Sequence, residues 1–139
     1  MKTHSSIEVV VPIAYGIHAV NFAAGLLNTV KGSSFVLAGT WIQIHTGDPS
    51  AAGTANLSLV TTRQQAIFNA AVSGTISLST PPNPWNMTGT ETIAAISVWS
   101  LATGGVPYWT APLTTPQPVN NGDTLTLNTC SLSIGPLAV

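Results

Sequence analysis

Residues 91–111 read ETIAAISVWSLATGGVPYWTA, and their reading decides the fold. Residues 91–101 are rich in β-branched and aromatic side chains, which suit a pleated, half-buried surface. Ala102-Thr103-Gly104-Gly105 is turn chemistry, because paired glycines supply the positive φ that a tight reversal needs. Residues 106–111 return as a second strand, and Pro107 assigns that strand to a sheet edge or a bulge. A hairpin of this kind predicts an antiparallel sheet.

Downstream, Pro112, Pro116 and Pro118 predict an irregular link to the turn Asn121-Gly122-Asp123. The next stretch alternates, with Leu125 and Leu127 on one parity and Cys130, Leu132 and Ile134 on the other. A one-residue slip sends later side chains to the wrong face unless a bulge absorbs it, which places a bulge or strand break at Asn128-Thr129. Upstream, residues 34–44 end in a strand with Ile42 and Ile44 on one face and Trp41, Gln43 and His45 on the other. Thr46-Gly47-Asp48-Pro49 breaks it, and residues 50–56 form a loop. Asp48 and Pro49 are structural turn residues here, as are Gly104 and Gly105 in the hairpin. Residues 63–69 predict a strand with Ile67 inward, residues 75–79 a strictly alternating strand, and residues 80–89, with Pro81, Pro82 and Pro84, a loop. No long repeat is visible, which excludes propellers and solenoids. The expectation is a mainly β chain: an antiparallel, jelly-roll-like β-sandwich of about seven or eight short strands.

One helix and an extended arm precede this sandwich. Ile13, Ile17, Val20, Ala24 and Leu27 recur at helical spacing, with His18, Asn21, Gly25 and Asn28 as a narrow polar stripe beside them. That predicts a mostly buried helix over about 13–30, ended near Gly32. Ile7-Glu8-Val9-Val10-Val11 is strand-forming, so residues 1–11 form an apolar arm that must lie on some surface. The domain organisation expected is an arm and helix over 1–32, packing on the domain or on a neighbouring subunit, and a β-sandwich over 33–139. Residues 9–27 carry no charge, but Pro12, His18, Asn21 and two glycines disfavour a membrane span or a signal peptide.

Charged residues are 5% of the 139-residue chain and the net charge is -1, which excludes phosphate-backbone nucleic-acid binding and a polybasic membrane surface. With 45% hydrophobic residues and few charges the chain is not disordered either. Serine and threonine, about a quarter of the residues, replace charge. So neutral a surface predicts burial in an assembly, with a homo-oligomer expected and a trimer favoured.

The chemical inventory is thin. His4, His18, His45, Glu8, Asp48, Glu91 and Asp123 show no metal-ligand spacing, and no GxSxG, GxGxxG or GxxxxGK motif occurs. No catalytic, cofactor or metal residue is therefore assigned. His45 and Asp48 suggest a pair, but turn-capping is the expected role of Asp48. Cys130 sits among alternating residues and is expected to be buried and unreactive. The tryptophans Trp41, Trp85, Trp99 and Trp109 read as core or interface anchors, or as a sugar platform. Candidate interface residues are Ile7, Val9, Val11, Ile13, Ile17, Trp85 and Trp109.

Three segments carry a resemblance. Residues 41–49 (WIQIHTGDP), then 52–56 (AGTAN), then Thr62-Arg63 resemble the LHTADPG…AGT…R opening of a family of small tailed-phage virion proteins. Residues 96–105 (ISVWSLATGG) resemble that family's tryptophan-containing GG hairpin, and Gly122-Asp123 its last turn. The pattern departs at Thr61, where the family commonly has an aromatic residue. The resemblance implies a non-enzymatic structural protein on the virion exterior, assembled in the bacterial cytoplasm, with the major capsid protein or tail proteins as partners. A capsid decoration protein is the first expectation and a minor tail or tail fibre protein the alternative. A carbohydrate-binding β-sandwich module is the second alternative.

Overall fold

The computed structural model describes residues 2–12, 18, 20–34 and 36–133. The elements are β1 (His4–Pro12), α1 (Val20–Val30), β2 (Trp41–His45), β3 (Gln64–Gln65), β4 (Ile67–Phe68), β5 (Thr75–Thr80), β6 (Trp85–Asn86), β7 (Glu91–Trp99), β8 (Pro107–Val119) and β9 (Thr124–Ser133). One sheet has the order β3-β2-β7-β8 and the other β1-β9-β5-β4, with β6 also on β9. The chain is thus mainly β, with two sheets and a single described helix near the N-terminus. The second sheet is mixed rather than antiparallel, because β1 runs parallel to β9.

The core lies between the sheets. Ile42, Ile44, Ile96, Val98, Trp109 and Ala111 from one sheet meet Ile7, Val9, Leu125, Leu127, Cys130 and Leu132 from the other. Burial pushes the Cys130 thiol up to about 12, so it stays protonated and inert. The bulge is where the slipped alternation put it. Ile7 pairs with Leu127 and Glu8 with Thr129, so Asn128 is the extra residue that lets Cys130 and Leu132 point inward.

Residues 4–12 are a paired strand. Ile7 and Val9 fill the core, and Asp123 ties in the strand's start by accepting the Thr3 N–H at 3.1 Å. Asp123 also accepts the Asn120 N–H at 2.8 Å and so caps the 120–123 turn. These two backbone donors hold its carboxyl below the usual range.

Four local expectations are corrected. The prolines do not interrupt β8, which passes through Pro107, Pro112, Pro116 and Pro118. It is an edge strand, and its register jumps from Ala95↔Pro112 to Ile93↔Gln117, so a wide bulge takes up the residues between. The expected strand over 63–69 is split between two sheets at Ala66, which is buried, while Ile67 is 54% exposed. The loop over 80–89 contains β6, whose Trp85 is fully enclosed and donates its indole N–H to Thr62 O at 2.9 Å. The fourth correction concerns α1 and is given with the site below.

Candidate functional site

Trp41–His45 alternates, yet both of its faces are covered. Ile42 and Ile44 face the core. Gln43 and His45 face the other way, under a roof made by the chain between β2 and β3. Gln43 donates to Val60 O at 3.2 Å. Glu91 accepts from the Ser58 hydroxyl and, at 3.1 Å, from the Leu59 N–H, which fixes the roof's far edge.

Under the roof runs one directional chain of hydrogen bonds. His45 Nδ1 lies 2.8 Å from Ala55 O. A carbonyl only accepts, so Nδ1 carries the proton and Nε2 is an acceptor. Ser97 Oγ lies 2.7 Å from that Nε2 and donates to it. The Trp99 indole N–H in turn donates to Ser97 Oγ at 2.7 Å. A second proton on His45 would leave the Ser97 hydroxyl between two donors. Burial therefore lowers the His45 pKa below 6.5, and the positive charge of Arg63 adds to the effect against opposing backbone acceptors.

A serine hydroxyl on a histidine Nε2 resembles a nucleophile–base pair. Here both residues are fully buried, the serine oxygen already accepts from an indole, and a backbone carbonyl stands where a carboxylate would orient the ring. The arrangement is built to hold a roof down. Among the described residues no group of three His, Cys, Asp or Glu side chains could hold a metal ion.

Arg63 completes the assembly. Its guanidinium stacks over the Trp99 ring, 3.6 Å from the centroid. Its Nη1 donates to Leu101 O at 2.9 Å and to Gly104 O at 2.6 Å, which clamps the hairpin tip. Gly104 and Gly105 there take φ of +66° and +74°. Gly53 presses close: a β-carbon on it would stand 2.9 Å from Trp99 Cζ2. Gly53, Thr61, Arg63, Trp99 and Thr103 help line an open cleft of about 500 Å³. Residues from segments 41–49, 52–56, 62–63 and 96–105 thus meet at one place as parts of a loop anchor, whereas Gly122-Asp123 lies apart, at the start of β1.

Asp48 turns outward. Its Oδ1 accepts the Ser50 N–H at 2.9 Å, which closes the turn and lowers its pKa. Its side-chain partner is His18, 3.3 Å away, and not His45, which points inward. The suggested His45–Asp48 pair is therefore replaced by two separate contacts. His18 itself is pinned to β8, its carbonyl accepting the Thr110 N–H at 2.9 Å.

The fourth correction is the exposure of α1. Part of the expected polar stripe turns toward the domain, with Asn21 donating to Pro107 O at 2.6 Å and Gly25 half-buried, while Asn28 is exposed. Of the expected buried stripe, Ala24 and Leu27 face outward, and Leu27 is 71% exposed. The reason is local: Asn21 satisfies an edge-strand carbonyl, and Phe22 packs on the core.

Of the candidate interface residues, Ile7, Val9, Trp85 and Trp109 lie in the chain's own core. Val11 occupies the position opposite Leu132 on β1, and Ile13 and Ile17 lie outside the described residues. Ala24 and Leu27 of α1, exposed here, were read in sequence as part of a buried stripe. Trp85, Trp99 and Trp109 are buried and Trp41 is half-buried. Among the described residues no helix is long and apolar enough to cross a membrane.

Comparison with known proteins gives one family. The model described as podophage GP4 fiber I protein gp80 matches residues 19–135. No curated protein matches the chain.

Proposed function

The chain belongs to the podophage GP4 fiber I protein gp80 family, and from that membership we propose that it is a structural subunit of the virion's fibre apparatus. A fibre position is preferred to the head surface because the matched family is a fibre family. The subunit stands on the exterior of the particle, with other tail proteins as its neighbours. Its task is mechanical, and we assign it no catalytic step. Supporting this, the one Ser–His contact among the described residues is sealed under a loop, and the loop segments around it are spent on holding one another.

The observation that carries the reading is the family match over 19–135, which spans the helix and every strand except β1. The test is to locate a tagged copy on intact particles by gold labelling and electron microscopy. Label on tail-associated fibres is the expected result. Label spread over the capsid shell would move the protein to the head surface, and particles without label would remove it from the virion.

A further inference from the structure

We propose that the cleft beside the hairpin tip binds saccharides that carry a carboxylate, with Arg63 as the residue that reads the acid. Arg63 is a cation without a counter-ion. Among the described residues no carboxylate pairs with it, and its hydrogen bonds go to two neutral carbonyl oxygens, Leu101 O and Gly104 O. Both bonds leave from Nη1, so Nε and Nη2, the side edge of the guanidinium, are unspent among the described residues. That edge is a fork that takes a planar carboxylate through two parallel hydrogen bonds. The group is also held before any ligand arrives. Stacking on the Trp99 ring at 3.6 Å and the two carbonyl bonds fix it, so binding costs little of the rotamer freedom that a loose arginine would lose.

The rest of the lining selects the class of ligand. The cleft of about 500 Å³ has the size of a small-molecule site. Thr54, Thr61 and Thr103 line it, all three are exposed, and their hydroxyls make no hydrogen bond among the described residues. Gln43 lines it too, although only 3% exposed; its Nε2 is donated to Val60 O, and its Oε1 accepts nothing among the described residues. Leu57, 46% exposed, adds an apolar wall for the C–H face of a ring. A hydroxyl both donates and accepts, so this set around one charge matches a ring that carries hydroxyls on several sides. A glutamate side chain from a peptide, or an inorganic phosphate, would use the arginine fork and leave the threonine hydroxyls to water.

A site built on one charge is weak by itself. It becomes effective where several copies are held side by side and engage one polysaccharide together. This adds a binding task to the mechanical one, and it does not depend on which part of the virion the chain occupies.

The test is an NMR titration of the full ¹⁵N-labelled chain with tetragalacturonate, a hyaluronan tetrasaccharide and sialyllactose, each beside its carboxyl-reduced, neutral form. At least one acidic saccharide is expected to shift the amides of Thr61, Arg63 and Thr103 and the Arg63 Nε–H saturably, with a Kd of about 0.1–3 mM, and its reduced form to bind at least about tenfold more weakly. Removing Arg63 would also loosen the hairpin tip, so the variant of choice is Thr61→Asp, which sets a negative charge in the cleft and leaves the clamp alone. It is expected to bind at least about tenfold more weakly, with tryptophan fluorescence and thermal midpoint unchanged. The absence of saturable shifts with all three saccharides at about 10 mM overturns the proposal, as does equal binding of the reduced forms or full affinity in Thr61→Asp. Phosphate or a tetraglutamate peptide that matches the best saccharide in affinity also overturns it, and would make the cleft a site for anions in general or for an acidic protein segment.

Discussion

Ser97 Oγ lies 2.7 Å from His45 Nε2, and the strand register holds it there, since Gln43 pairs with Ser97 and His45 with Ala95. The hydroxyl therefore serves two strands and a loop at once. Its removal in Ser97→Ala leaves the Trp99 N–H and the His45 Nε2 buried without partners. At about 1–3 kcal/mol for each such group, the variant should lose roughly 2–6 kcal/mol, read as a fall in urea midpoint at unchanged slope.

The same contact makes stability depend on pH. The folded-state pKa of His45 is lowered, so between that value and about 6.5 the unfolded chain binds the extra proton and the folded one does not. The His45 contribution is fully present above pH 6.5 and is lost as pH falls below it, by at most about 1.4 kcal/mol per pH unit. Denaturation midpoints at pH 7.5, 6.0 and 5.0 should fall in that order. In His45→Asn the part of the decline that belongs to this group should vanish, and an unchanged profile would refute the assignment.

Arg63→Lys keeps the charge but not the fork. A lysine cannot serve Leu101 O and Gly104 O while lying flat on Trp99. Hydrogen exchange of amides 101–106 should speed up by up to about tenfold, corresponding to about 1.4 kcal/mol of lost local stability, with β9 protection unchanged. Equal acceleration throughout the chain would mean that Arg63 supports the whole fold and not the hairpin tip.

Deleting Asn128 should be tolerated, which is unusual for a residue inside a long strand. β1 runs without an extra residue from Ile7 to Glu8, so removing Asn128 lets Leu127 and Thr129 follow one another in register. Leu125, Leu127, Cys130 and Leu132 then share one parity and remain inward. Deleting Thr126 instead makes Leu125 and Leu127 adjacent, so that they point to opposite faces, and should abolish folding. Circular dichroism of the two deletion variants separates these outcomes.

That bulge was legible because hydrophobic parity records it directly. The 91–111 hairpin was legible for the same reason, together with its glycine pair. Strand β8 was not, because proline argues against a ladder position in general and only the sheet order shows that this strand has an open edge. Ile67 misled because a two-residue strand carries no period to read. On α1 the expected inward positions Ala24 and Leu27 lie outward, since helical periodicity displays two faces without saying which one the domain takes. The loop anchor was visible only as isolated residues. Nothing local ties Arg63 to Trp99, or His45 to Ser97, until β2 and β7 lie side by side.

The parallel pairing of β1 with β9 has a consequence for how the protein is made. β9 is flanked by β1 on one side and by β5 and β6 on the other, so every strand on that path up to β5 waits for it. The Thr3 N–H meets its acceptor on Asp123 across 120 residues of sequence. Translation therefore delivers the first strand long before its partner exists, and the core cannot close until residues 124–133 have left the ribosome. A chain cut short anywhere before them keeps Ile7 and Val9 uncovered and stays a target for chaperones and proteases. The topology thus acts as a completeness check, under which only chains carried through residue 133 reach a form that can enter an assembly.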